Sequence, residues 1–229
     1  MELTIIILIS IIALIMLSII LKIDLKKVKE IGMDENLNKL TKKYPSNIEI
    51  CKSILKKLGN EKVQIEEDKE AETTLYIALT DKIFIADTKE SYTRIQTMAH
   101  ECLHSIQDRR ILMFNFIFSN IYLIYFAAII ILTILKITTN SLLFLNIFLI
   151  LSMVYYMVRV FLENDAMLKA KYLAKEYMED VQISSKEEIN KIVEGFEKLN
   201  NAGIKCVNYN LFSQILIKVI IFSIVGLIF

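Results

Sequence analysis

The chain has 229 residues, a formal net charge of +1 and a hydrophobic fraction of 55%. That apolar fraction, with one proline and five glycines, exceeds what a soluble core of this length requires and describes a mainly α-helical membrane chain. Near-neutral charge, with lysines alternating with acids along the predicted helices, excludes the basic field that nucleic acid binding needs.

The first element is the apolar run 3–21, long enough to cross a bilayer. It has no basic leader and no small-residue cleavage site, so it reads as a retained anchor with its N-terminus outside. After Pro45, Ser46-Asn47-Ile48-Glu49 predicts a capping-box helix start; Ile48, Cys51, Ile54, Leu55 and Leu58 follow at helical spacing until Gly59. Val63 and Ile65 alternate with polar neighbours as a short strand, and segments 75–79 and 83–86 flank Thr80-Asp81-Lys82 as a hairpin. A helix is then predicted to begin near Thr88 or Ser91. It carries Ile95, Met98, Cys102, Leu103 and Ile106 on one stripe and His100, His104 and Gln107 on the next.

The only two histidines of the chain stand in His100-Glu101-Cys102-Leu103-His104. Residues four apart share a helix face, so both imidazoles can address one zinc ion while Glu101, one step round, reaches a water held there. Cys102 points away from the histidine stripe and reads as a packed thiol. With Cys51 and Cys206 it makes an odd, widely spaced set that suits a reducing compartment.

Two further apolar runs, 111–135 and 141–158, follow. A catalytic zinc needs a third protein ligand, and with no histidine left a carboxylate or thiolate must serve. Glu163, in Phe161-Leu162-Glu163-Asn164-Asp165-Ala166, is the best placed, and Ala166, Ala170 and Ala174 continue its side of a helix as a strip that permits close packing on the motif helix. Asp165 points away from Glu163 and reads as a supporting partner or an N-terminal cap. Ser185-Lys186-Glu187-Glu188 starts an amphipathic helix that either docks a partner or closes the domain. The run 211–229 is the last predicted span; its Lys218 either snorkels or pairs inside the bundle.

The basic residues Lys22, Lys26, Lys27, Lys29, Arg109, Arg110, Arg159, Lys169 and Lys171 flank one side of these spans, whereas 136–140 holds a single lysine. The expected layout is an anchor at 1–22, a cytoplasmic α+β segment at 23–110, a two-span hairpin at 111–161, cytoplasmic helices at 162–210 and a terminal span at 211–229. Both termini then lie outside the cytoplasm, and the site faces the cytoplasm.

These residues resemble the membrane zinc metallopeptidases of the YugP type. That family's pattern is His-Glu-x-x-His-x-x-Gln followed, beyond two spans, by Glu-x-Asp-Ala; here it reads His100-Glu101-x-x-His104-x-x-Gln107 and Glu163-Asn164-Asp165-Ala166, and the order of elements corresponds over nearly the whole chain. The chain departs from the pattern at Cys102-Leu103, where Val-Gly is usual. The resemblance implies a gluzincin-like peptidase with a small zincin-like α+β domain, His100, His104 and Glu163 as zinc ligands, Glu101 as general base, and Gln107 and Asp165 supporting them. Tyr92, Tyr156, Arg159 and Tyr172 are left open as the group that steadies an oxyanion.

Three functions compete. The favoured one is a zinc endopeptidase acting on a peptide or membrane-protein substrate at the cytoplasmic face of a lipid bilayer; it sets no oligomeric state. An intramembrane protease would hold its motif inside a span, whereas Lys89, Glu90, Arg94, Asp108, Arg109 and Arg110 surround this one. A non-catalytic zinc-stabilised sensor or adaptor has no use for Glu101.

Overall fold

The computed structural model describes residues 1–68, 71, 73–86, 91–138 and 140–229. Among these the order is α1 (Glu2–Ile20), α2 (Leu25–Gly32), α3 (Glu35–Thr41), α4 (Asn47–Lys57), β1 (Gln64–Asp68), β2 (Leu75–Ile77), β3 (Lys82–Ala86), α5 (Arg94–His104), α6 (Arg109–Ile134), α7 (Ser141–Val181) and α8 (Lys186–Ile228). The protein is mainly helical, with one small three-stranded sheet, and α1, α6, α7 and α8 each hold a stretch long and apolar enough to cross a membrane. Helix α7 runs unbroken through Glu163 and Asp165, because nothing between Ser141 and Val181 is a glycine or proline. The alternative of Asp165 as an N-terminal cap is therefore corrected: it lies in mid-helix.

The chain divides into two compact units. The first comprises Met1–Ile23, Phe114–Phe161 and Lys205–Phe229. Its core is Tyr122, Ile129, Leu145, Phe148, Val219 and Phe222, with the Tyr122 ring stacked on Phe148 at 5.3 Å and on Tyr155 at 4.9 Å. Lys218 Nζ stands 5.2 Å from the centre of the Tyr122 ring, a cation–π contact. At Gly226 an added Cβ would come 2.9 Å from Leu3 Cδ1 and 4.0 Å from Thr133 Cγ2, so the start of α1 and the ends of α6 and α8 share one end of this unit.

The second unit comprises Asp24–Met113 and Leu162–Ile204. Strand β3 is central: β1 pairs with it in parallel from Gln64↔Lys82 to Asp68↔Ala86, and β2 pairs antiparallel through Leu75↔Phe84 and Ile77↔Lys82. Asp81 turns the predicted hairpin in the left-handed region at φ 54°. Ser46 caps α4 in the predicted box, accepting from the Glu49 N–H while the Glu49 carboxylate accepts from the Ser46 N–H. Helix α5 starts at Arg94, later than expected; Thr88, Lys89 and Glu90 lie outside the described residues.

Arg94 was expected to mark a wet flank of the motif; instead it is buried. Its guanidinium donates to the carbonyls of Thr41, Tyr44 and Pro45 and to Asn47 Oδ1 at 2.8–3.1 Å, stitching the α3–α4 turn to the first turn of the motif helix. The core joins Ile50, Cys51, Ile54 and Leu55 of α4, Ile83 and Ile85 of β3, Ile95, Met98, Ala99 and Cys102 of α5, and the fully buried Ala166, Ala170 and Ala174 of α7. Ile189, Ile192 and Phe196 of α8 lie in the same core, so the amphipathic face after Ser185 closes this unit.

Gly195 shows how tight that closure is. A Cβ there would stand 2.5 Å from Leu37 Cδ1 and 3.0 Å from Cε2 of Tyr92, a ring that is fully buried and stacked on Phe196 at 5.9 Å. At Gly203 the nearest obstacle is the flexible end of Met167, at 3.3 Å. Gly195→Ala is expected to lower stability by about 1–3 kcal/mol through overpacking, while Gly203→Ala is neutral or gains up to about 1 kcal/mol of helix propensity. Thermal unfolding of both variants in detergent checks this; equal melting temperatures would show that α8 packs more loosely against Tyr92 than described.

Candidate metal centre

The i, i+4 spacing on α5 delivers what it promises geometrically. His100 and His104 bring their Nε2 atoms to 3.0 Å, with ring centres 4.6 Å apart and planes at 89°. Glu163 enters from α7, its Oε2 lying 3.4 Å from His100 Nε2 and 3.8 Å from His104 Nε2. The three donor atoms lie within 4.8 Å of one another, and such a group could hold a metal ion. Asp165, which shares the turn with Glu163, is not among the converging donors.

The distances test the fit. Ligands about 2.0–2.1 Å from a tetrahedral ion stand about 3.3 Å from each other, the scale of the separations observed. Orientation agrees. Gln107 Nε2 donates to the Leu162 carbonyl at 2.9 Å and to Asp165 Oδ2 at 3.3 Å, which leaves its Oε1 to accept from His104 Nδ1 at 2.8 Å. The proton of His104 is thereby held on Nδ1, and the Nε2 lone pair faces the other ligands. Asp165 is in turn paired with Lys169 one turn along α7.

Glu101 stands at the side of this cluster. Its Oε2 accepts the backbone N–H of Tyr76 in β2 at 2.7 Å, and its Oε1 is 3.9 Å from His100 Nε2. Burial raises the Glu101 carboxyl above its ordinary pKa, opposed by His100, His104 and the Tyr76 N–H and assisted by Glu163. For His104, burial pulls the imidazole pKa down, but hydrogen bonding to Glu163, the charge of Glu101 and the bond to Gln107 together raise it.

Cys102 is a packed thiol. Its Sγ lies 3.5 Å from Cys51 Sγ in the core, that contact and then burial push the thiol well above its ordinary pKa, and it is not among the converging donors. Of the four residues left open for an oxyanion, Tyr92 is excluded because its buried hydroxyl donates to the Ile31 and Gly195 carbonyls. Tyr172 is exposed beside Lys171, and Tyr156 and Arg159 belong to the first unit. The Tyr76 amide and the Leu162 carbonyl are participants that sequence reasoning missed: both are backbone groups, and side-chain identity carries no signal for them. No protein-family model, curated protein or solved structure matches the chain.

If Gln107 orients His104, Gln107→Leu should weaken metal binding about 10–100-fold, with Asp165→Asn weakening it less because it acts one bond further out. Competition against a chromophoric chelator reads both. Unchanged affinity in Gln107→Leu would show that His104 is oriented by packing alone.

Proposed function

We propose that the chain is a membrane-anchored zinc metalloendopeptidase, of the YugP type that its motifs resemble, hydrolysing peptide bonds at the cytoplasmic membrane face. The observation that carries this reading is the convergence of His100, His104 and Glu163, from helices far apart in sequence, with a second carboxyl, Glu101, held beside them and outside the ligand set. A purely structural site fills its positions with Cys and His and has no use for that extra carboxyl. The two-nitrogen, one-carboxylate donor set with imidazoles in the neutral form favours zinc. Zinc bound by these three residues supplies a Lewis acid and brings the pKa of water near neutrality.

The chain's own groups do the rest. Because the Tyr76 N–H ties up Oε2 of Glu101, Oε1 is the oxygen turned toward the histidines, and it takes the proton of the attacking water and returns it to the leaving amine. Burial that raises the proton affinity of Glu101 suits a group that must accept a proton and hold it until the amine departs. Strand β2 is a terminal strand of the sheet and lies against α5, so an extended substrate pairing with its edge would pass over Glu101. The bilayer reading is supported by the four apolar helices, and the shared end of α1, α6 and α8 agrees with both chain termini on one side. Basic residues flanking the spans favour the cytoplasm for the site.

Detergent-purified protein should hold about one zinc per chain. Glu163→Ala should lose most of it, and Glu101→Gln should keep it while peptide cleavage falls at least about 100-fold. Cleavage that persists in Glu101→Gln would remove Glu101 from the chemistry; zinc unaffected by Glu163→Ala would move the third ligand elsewhere.

A further inference from the structure

Away from the metal centre, the second unit has a cavity of about 700 Å³ whose walls come from α2, α3 and the segment before α5, including Lys29, Gly32, Asn38, Lys39, Lys42 and Ser91. In sequence these lysines are scattered among acids. Folding of α2 against α3 gathers three of them around one hollow, against a single acid, Glu35. Lys29, Lys39 and Lys42 form no ion pair among the described residues, unlike Lys43 next to them, which is bound to Glu188. Asn38 adds a neutral donor. Its Oδ1 accepts the Tyr92 N–H at 2.7 Å, and its amide NH₂ has no acceptor among the described residues.

We infer that this cavity binds a phosphate-bearing anion, the headgroup of an acidic phospholipid being its source. The volume lies in the range of small-ligand sites, and three lysines lining it from three turns supply the positive charge that a phosphate needs. Connectivity supplies the second argument, which rests on α1 being a membrane span but not on the metal centre. Asp24, which caps α2, follows the last residue of α1 by four positions, a reach of at most about 14 Å. The start of α2 is therefore tethered within roughly a Debye length or two of the headgroup layer that the span crosses. The flanks suit that surface too: Leu25 and Met33, at the two ends of α2, are apolar side chains 70% and 63% exposed.

The test is native mass spectrometry of the intact chain in detergent, titrated with phosphatidylglycerol or phosphatidylcholine, and separately with glycerol 3-phosphate. Each lysine near an acidic lipid contributes about fivefold, so the wild type should prefer phosphatidylglycerol on the order of 100-fold, a preference that Lys29→Gln/Lys39→Gln/Lys42→Gln abolishes. Lys52→Gln/Lys56→Gln/Lys62→Gln, which removes the same charge from exposed positions elsewhere on this unit, should retain it. Binding of glycerol 3-phosphate with the same dependence on the three cavity lysines would support the phosphate site and assign it a soluble source; its absence beside lysine-dependent lipid binding would support the lipid. Equal loss in the two triple variants, or no preference in the wild type, would overturn the inference. The glycerol 3-phosphate arm needs no bilayer, so a failure of the membrane reading is told apart from a failure of the site.

Discussion

The centre depends on one amide. Gln107 hydrogen-bonds His104 Nδ1 through its oxygen and the Leu162 carbonyl through its nitrogen, so a single side chain sets the tautomer of one ligand and fastens the end of the motif helix to the turn of α7 that presents Glu163. Two segments 59 residues apart in sequence, Glu163 and His104, are thereby brought to 3.8 Å. Behind them Ala166, Ala170 and Ala174 are fully buried in one core with Ala99 and Cys102, a strip of small side chains on the core side of α7.

A second backbone contact complements the first. The Tyr76 N–H holds one oxygen of Glu101, which ties the terminal strand of the sheet to the group proposed as base. Arg94 performs the structural counterpart at the other end of α5, donating to three carbonyls and one amide oxygen of residues 41–47. Helix α5 is thus pinned at its start by a buried cation and at its end by Gln107, and the histidine stripe lies between.

What could be read in the sequence was what is local. The capping box at Ser46, the turn at Asp81 and the shared face of His100 and His104 are set by residues within four positions of one another, where side-chain chemistry and helical or strand period decide the outcome. Long-range placement was partly legible: Glu163 could be singled out by its site after a span, but its approach to 3.4 Å of His100 depends on tertiary packing. Arg94 was misread because a charged residue is ordinarily wet, and the carbonyls that receive it belong to a turn some fifty positions earlier. The extent of α7 was missed because hydropathy falls at Arg159 while helix propensity does not. Likewise the lysines of the second-unit cavity gave no signal, since α2 and α3 bring together charges that neither helix groups along its own length.

The central claim is that two histidines and a carboxylate, and no sulfur, hold one zinc ion. X-ray absorption at the zinc edge of the loaded, intact chain measures this directly. The account predicts only nitrogen and oxygen scatterers at about 2.0–2.2 Å, with imidazole multiple scattering from two rings. A sulfur shell at about 2.3 Å would bring a cysteine such as Cys102 into the coordination sphere and contradict it.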